Sequence, residues 1–275
     1  MVTAQNLEYT MKISTFRRTL LLSALGFTLS AGLLGQAMAG EQLSTIQKNG
    51  TLKVGLEGTY PPFSFVGADG KLAGFEVEFS EALAKALGVK VQLQATPWAG
   101  ILAALESKRL DVVINQVTIS DERRNKYDFS TPYTVSGIQA LVKKKDADRF
   151  KAAKDLSDHK VGVGLGTNYE QWLKANVPGA TVKTYDDDPT KIQDLLVGRL
   201  DAILVDRLAA LELVTKTKGT LAVSGPAFSR LEAGVALRKG EPELLSAINK
   251  AIEKMRADGT LAALSKKYFQ ADVTQ

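Results

Sequence analysis

The stretch Asn115-Gln-Val-Thr-Ile-Ser-Asp-Glu-Arg-Arg-Asn-Lys-Tyr-Asp-Phe-Ser130 follows an apolar run, Val112 to Ile114, that reads as a buried strand. It passes through amide and hydroxyl residues into Ser120-Asp-Glu-Arg123, which has the pattern of a helix start. Ser120 suits the N-cap, Asp121 and Glu122 suit the positive first turn, and Arg123 lies in that same turn. A strand end, a polar turn and a helix N-terminus present backbone N–H groups and one guanidinium to a single spot. Such a spot suits an anion, and the fork of Arg123 suits a planar carboxylate. The alternative reading of this stretch is a solvated helix turn, with Arg123, Arg124 and Lys126 as surface charges.

Upstream, Gly50-Thr-Leu-Lys-Val-Gly-Leu56 reads as a strand, followed by the aromatic turn Glu57-Gly-Thr-Tyr-Pro-Pro-Phe-Ser-Phe65 and a hairpin-like bend at Gly67-Ala-Asp-Gly70. Apolar residues at 75, 79, 82, 83, 86 and 87 lie on one helical face that Gly88 closes. Val89, Val91 and Leu93 alternate as a strand, Pro97 and Trp98 start a second helix, and Arg109 to Ile114 returns as a strand.

Downstream the same grammar recurs. Lys160-Val-Gly-Val163 with Gly164-Leu-Gly-Thr-Asn-Tyr169 parallels Lys53-Val-Gly-Leu56 with Glu57-Gly-Thr-Tyr60, and Arg199-Leu-Asp-Ala-Ile-Leu204 parallels Arg109-Leu-Asp-Val-Val-Ile114. Asp188 and Pro189 are expected to start the helix that carries Ile192, Leu195 and Leu196. Strands alternating with helices in both halves predict two similar α/β lobes with parallel-type sheets. Two extended runs, Ser136 to Val142 and Glu232 to Arg238, are expected to carry the chain out of the first lobe and back again. The stripe Leu244, Leu245, Ile248, Ile252 and Met255 reads as ordinary helix packing.

The chain has 275 residues, 45% of them apolar, no cysteine and one histidine, which describes a soluble globular protein of one large or two modest domains. Residues 1–39 differ: Lys12, Arg17 and Arg18 precede an apolar run from Leu20 to Leu34 that ends in Ala37-Met-Ala39. This reads as a signal peptide cleaved after Ala39, with Met11 as an alternative start. The run is short and rich in Gly, Ser and Thr for a membrane anchor. Without cysteine the mature N-terminus cannot be lipid-modified at such a residue, so the expected location is the periplasm. The net charge of +5 includes Lys12, Arg17, Arg18 and Glu8, leaving +3 for the mature chain and no call for nucleic acid.

In open α/β sheets ligands sit outside the carboxyl ends of strands. The loops there are Glu57 to Phe65, Asn115 to Arg123, Gly164 to Tyr169, and Asp206. An aspartate directly after a buried strand is either matched to Arg207 or Arg199 or aimed at a ligand cation. Arg123 for a carboxylate and Asp206 for an ammonium, with the hydroxyls of Thr118 and Thr167 and amides near Gly166, are complementary to an α-amino acid. Tyr60, Phe63 and Trp98 would flank its side chain, core packing being the alternative for these aromatics.

Gly74-Phe-Glu-Val-Glu-Phe-Ser-Glu-Ala-Leu-Ala-Lys-Ala-Leu87, Thr118 to Arg123 with Tyr127-Asp-Phe-Ser-Thr-Pro-Tyr133, and Gly164-Leu-Gly-Thr-Asn168 with Asp206 together resemble the family 3 periplasmic solute-binding proteins, the polar amino-acid receptors of ABC importers. The resemblance covers about residues 41 to 270. It implies a two-lobed periplasmic-binding-protein-like α/β fold, with two mixed sheets flanked by helices and joined by two hinge strands near 134–138 and 230–235. Lobe one would hold residues 40–135 plus 233–275, and lobe two residues 136–232. It further implies a monomer, an amino-acid ligand, an ABC permease in the inner membrane as partner, and neither cofactor nor metal nor catalytic residue.

Val54 to Phe65, Asp111 to Arg123, Thr184 to Thr190 and Val205 to Leu211 are most similar to receptors for L-cystine. By that resemblance Arg123 clamps the α-carboxylate with the backbone of Thr118 and Thr167, and Asp206 accepts the α-ammonium. Tyr60 and Trp98 cover the ligand, and Glu57, Phe63, Gly166 and Asn168 complete the set. Asn115 and Gln116 stand where many relatives carry Ser or Gly, and their amides are expected to reach the second polar end of a ligand such as cystine.

Other signals carry less. Gly162, Gly164 and Gly166 fail the dinucleotide fingerprint at its third glycine. Asp186-Asp-Asp188 before Pro189 suits capping better than a divalent cation. His159 in a polar turn reads as a surface residue, and one histidine without cysteine leaves no common metal cluster or catalytic triad. The rival class is a periplasmic arogenate or prephenate dehydratase on the same fold, with Glu57 or Asp206 as general acid. A sensory receptor domain would call for a membrane-spanning segment.

Overall fold

The computed structural model describes residues 41–274. The leader over 1–39, its cleavage and the choice of start lie outside the described residues. The chain forms α1 (Glu41–Asn49), β1 (Thr51–Leu56), the short β2 (Thr59–Tyr60), β3 (Ser64–Val66) and β4 (Leu72–Ala73), then α2 (Phe75–Ala86) and β5 (Lys90–Ala95). α3 (Trp98–Glu106), β6 (Val112–Val113), a four-residue α4 (Asp121–Arg124) and β7 (Tyr127–Phe129) lead into the long β8 (Thr134–Lys143). The second half runs β9 (Lys160–Gly164), α5 (Asn168–Asn176), β10 (Thr181–Tyr185), α6 (Asp188–Leu196), β11 (Ala202–Asp206), α7 (Arg207–Lys216) and β12 (Leu221–Ser224). β13 (Arg230–Ala233), β14 (Ala236–Arg238), α8 (Pro242–Ala257) and α9 (Thr260–Phe269) finish it. No helix among the described residues is long and apolar enough to cross a membrane.

Two sheets dominate, in the orders β5-β1-β6-β14-β7 and β10-β9-β11-β8-β12. Each is parallel at one side, β1 with β5 and β6, and β9 with β10 and β11. Antiparallel strands complete both: β14 against β6 and β7, β8 against β11 and β12. Alternate residues of a strand face opposite ways, so Val112 and Val113 enter different cores, as do Leu204 and Val205. The stripe on α8 is buried as expected, with Leu244, Ile248, Ile252 and Met255 all in one core.

The internal repeat is realised bond for bond. Asp111 Oδ2 accepts from Lys53 N at 2.9 Å, and Asp201 Oδ2 accepts from Lys160 N at 2.9 Å, so each Arg-Leu-Asp triplet seals the start of the neighbouring parallel strand. Leu110 fills the space over Gly55 and Leu200 the space over Gly162, where a Cβ would collide with the leucine. One difference from the sequence reading is the length of β6. Arg109 and Leu110 donate their N–H groups back to Ala104 O to close α3, so the ladder starts at Val112 rather than at 109.

The two extended runs pair with each other. β13 lies antiparallel to the first residues of β8, with Arg230 opposite Gly137 and Ala233 opposite Thr134. Thr118 adds a single bridge to Ala233.

Candidate functional site

The ends of β1 and β6 are clasped together by side chains. Glu57 N donates to Asn115 Oδ1 at 2.8 Å, and Asn115 Nδ2 donates to Glu57 Oε2 at 2.7 Å. Burial pushes the Glu57 carboxyl up to about 7, against the pull of the Asn115 hydrogen bond. Gln116 follows in the left-handed region at φ 47°. Its N–H donates to Glu76 Oε1 (2.6 Å) and to the Tyr133 hydroxyl (3.1 Å). Its side-chain Nε2 donates to Glu76 Oε1 (3.1 Å), and its Oε1 accepts from Thr134 Oγ1 (2.9 Å). The amides of Asn115 and Gln116, expected to reach a ligand's far end, are thus bonded at both ends to protein groups. The reason is local: a buried carboxyl beside each needs a donor, and the amide is the nearest one.

The turn into α4 forms as its residues suggest, with Ser120 Oγ accepting from Arg123 N at 3.3 Å. The Arg123 guanidinium folds back so that Nη1 donates to Thr118 O at 3.1 Å, and it lies 5.2 Å from the centre of the Trp98 ring. Burial holds its pKa below the ordinary arginine value. Trp98 is fixed as the first residue of α3, behind Pro97 at the N-cap.

On the second sheet, Thr167 caps α5 by accepting from Glu170 N (3.3 Å) and donates its hydroxyl to Gly164 O (2.7 Å). Gly166 takes φ 70°, and its N–H, expected to face a ligand, donates to Glu170 Oε2 at 2.7 Å. The carboxylate of the third residue of the helix reaches that amide before a ligand does. Asn168 Nδ2 is buried with no hydrogen-bond partner. Asp206, 2% exposed, ends β11 and caps α7: its Oδ1 accepts from Leu208 N and Ser136 Oγ, both at 2.7 Å. Burial raises its carboxyl to about 6, opposed by those same hydrogen bonds. Arg199 is not its partner, being paired with Asp194 at 2.9 Å. Among the described residues neither Arg123 nor Asp206 enters a salt bridge, although both are desolvated.

A cleft opens among these loops, lined by Glu57, Tyr60, Trp98, Asn115 and Gln116 on one side and by Leu165, Thr167, Asn168, Tyr169, Tyr185, Asp186, Asp187, Asp188 and Lys191 on the other. Tyr60 and Tyr169 meet across it, with hydroxyls 3.4 Å apart. Gln171 Nε2 donates to Glu122 Oε2 at 3.0 Å between the same two halves. Of the sequence-predicted set, Phe63, Thr118, Arg123, Gly166 and Asp206 do not line this space. Arg123 and Asp206 nonetheless act on one group that does: the nearby Asp206 raises the Tyr169 hydroxyl pKa and Arg123 lowers it, beneath a larger upward push from burial. Phe63 belongs to the core instead. It is fully buried and packs on Tyr60 and Phe269 with ring centres 5.1 and 5.6 Å away.

Of the lining residues outside the predicted set, Tyr169, Asp188 and Lys191 carry the most chemistry. Tyr169 occupies the repeat position of Tyr60, and that parallel was the signal that could have found it. Asp188 is freed because Asp187, not Asp188, is the N-cap of α6: its Oδ1 accepts from Thr190 N at 2.7 Å. Lys191, 1% exposed, reaches Asp188 Oδ1 at 2.5 Å.

Residues 52–271 match the profile of the bacterial extracellular solute-binding proteins, family 3, and the chain belongs to that family. It is 64% identical over 266 residues to the L-cystine-binding protein TcyJ of Escherichia coli (strain K12), which spans 96% of this chain and 100% of that protein. Among solved structures, an ArgBP mutant from T. maritima is similar at TM-score 0.79 and 31% identity, over 83% of this chain and 99% of that one. The ancestral amino acid-binding protein AncCDT-1, described as a precursor of cyclohexadienyl dehydratase, is similar at TM-score 0.78 and 41% identity, over 82% and 99%. The fold is accordingly the two-lobed α/β fold of amino-acid-binding proteins.

Proposed function

We propose that the protein is the periplasmic receptor of an ABC importer, exported by the leader over 1–39, that captures L-cystine between its lobes and hands it to an inner-membrane permease. The observation that carries this reading is the 64% identity along the whole length of an L-cystine-binding protein. Beside the cleft, a buried guanidinium and a buried carboxylate, Arg123 and Asp206, both act on the lining Tyr169 and neither enters a salt bridge among the described residues. Arg123 takes the α-carboxylate, Asp206 takes the α-ammonium, and Tyr60, Trp98 and Tyr169 cover the ligand. The lobes divide at the β8 and β13 crossings, into 40–135 plus 233–275 and 136–232. A ligand bridging both lobes favours the closed arrangement by its differential contacts.

Binding without chemistry is the reading the relatives support, since those matched here are described as binding proteins. The protein acts as a monomer in this scheme. The test is calorimetric titration of unfolded and refolded, ligand-free protein with L-cystine, L-arginine and L-glutamine, together with incubation with arogenate. Saturable binding that favours L-cystine, with no aromatic product, is the expected result. Preference for another amino acid would overturn the cystine assignment, and aromatic product would overturn the receptor reading.

A further inference from the structure

We infer that Glu57, Asp188 and Lys191 form a second head-group subsite, which receives the far ammonium and carboxylate of a two-headed amino acid. The inference rests on the amino-acid receptor reading and specifies which end of the cleft distinguishes a two-headed ligand from a one-headed one.

The three groups come from different parts of the chain and line one cavity. Glu57 stands at the end of β1, and Asp188 and Lys191 lie in the first turn of α6. The Lys191 side chain is 2% exposed and that of Asp188 21%, so a buried cation is paired with a partly exposed carboxylate, and both line the cavity. The three also sense one another, Asp188 raising the Glu57 carboxyl and Lys191 lowering it. This cluster lies apart from the Arg123 and Asp206 anchors but within their reach through two tyrosines. The hydroxyls of Tyr60 and Tyr169, 3.4 Å apart in the cavity lining, each feel the charge of both Asp206 and Asp188.

The composition of the cluster selects the chemistry. A lysine ammonium has three N–H donors, and Asp188 occupies one, leaving donors for a carboxylate. Two carboxyls beside it supply acceptors for an ammonium. A simple cationic side chain would satisfy Glu57 and Asp188 while meeting repulsion from Lys191. A second amino-acid head satisfies both signs at once. An apolar side chain would strand all three groups without water, at a cost in binding. Asn115 then supports this subsite from below by holding the Glu57 carboxyl in place, and Glu76 holds the adjoining backbone by accepting from Gln116 N.

The experiment compares L-cystine with S-methyl-L-cysteine, which keeps one head and the sulfur but lacks the second head. Both are titrated calorimetrically into ligand-free wild type, Glu57→Gln and Asp188→Asn. The expected result is that each substitution weakens cystine by about tenfold or more while shifting S-methyl-L-cysteine much less, so the preference between them shrinks. Equal losses for both ligands, or an unchanged preference for cystine, would overturn the subsite. Wild type that shows no preference for cystine over the one-headed ligand would overturn the cystine assignment itself, which separates the two failures. Glu57→Gln preserves the shape and the acceptor facing Asn115, so it decides the matter even where Asp188→Asn disturbs α6.

Discussion

The backbone N–H of Gln116 donates to Glu76 Oε1 at 2.6 Å, which ties the floor of the cleft to a carboxyl wholly inside the core. Tyr133 donates its hydroxyl to the same oxygen at 2.6 Å, and Glu76 Oε2 is buried without a partner. Burial raises this carboxyl to about 7, against the hydrogen bonds from Tyr133 and Gln116.

A folded pKa above the unfolded one means that the native state binds more protons between about 4.5 and 7. Stability from this group therefore falls as pH rises through that window, by an amount on the order of 3 kcal/mol. Glu57 and Asp206 act with the same sign. Glu76→Gln keeps the Oε1 acceptor and removes the titration. Denaturant unfolding of ligand-free protein at pH 5 and pH 8 should show a smaller loss of stability for the variant than for wild type. An equal loss would mean that Glu76 does not titrate in this range.

Arg123→Ala and Asp206→Asn should each cost on the order of 2 to 5 kcal/mol of amino-acid binding, because each leaves a ligand charge desolvated and unmatched. Arg123→Lys should recover little, since the bond to Thr118 O and the stack on Trp98 both use the planar guanidinium. Calorimetry on folded variants reads this out, and normal affinity in both Arg123→Ala and Asp206→Asn would sink the zwitterion model.

The proposed ligand roles of Glu57 and Asp206 predict a pH dependence of binding. Glu57 near 7 and Asp206 near 6 are partly protonated below neutrality, and an incoming ammonium favours their ionised forms. Affinity should therefore fall as pH drops from 8 to 5, with proton release on binding near pH 6.5. Titrations in two buffers of different ionisation enthalpy measure that release. A flat profile would contradict the assignment of these groups to ligand ammonium.

Gly74 is required by backbone rather than by side chain. It takes φ 127° as the N-cap of α2, and a Cβ there would collide with the Phe63 carbonyl. Gly74→Ala should destabilise the fold by about 1 to 3 kcal/mol, measured by chemical denaturation, while Gly100→Ala, with open space around its Cβ position, should change little.

The residues that were legible in sequence are those whose role is local. Ser120 announces itself as a cap, and the two Arg-Leu-Asp triplets mark strand starts by repetition, whereas the capping role of Thr167 shows only in the structure. Lys191 was not legible, because a lysine in the first turn of an amphipathic helix reads as a surface charge. Its burial follows from Gly162 on the adjacent strand, where a Cβ would stand 3.2 Å from the Lys191 stem. Only the packing of α6 on β9 brings those two positions together. Phe63 misled for the converse reason: aromatic turn residues look exposed until the chain beyond them, here Phe269 on α9, closes over the ring.

The bonded pair of β8 and β13 sets how the halves can move. Two separate linkers would let one half swivel about several axes relative to the other. Strands joined by a ladder from Arg230–Gly137 to Ala233–Thr134 bend and twist together, as a ribbon does. Under the proposed receptor function, such a ribbon would confine opening and closing to essentially one path. The shape offered outward on closing would then be nearly the same for any captured ligand, giving a transporter one signal for a filled cleft.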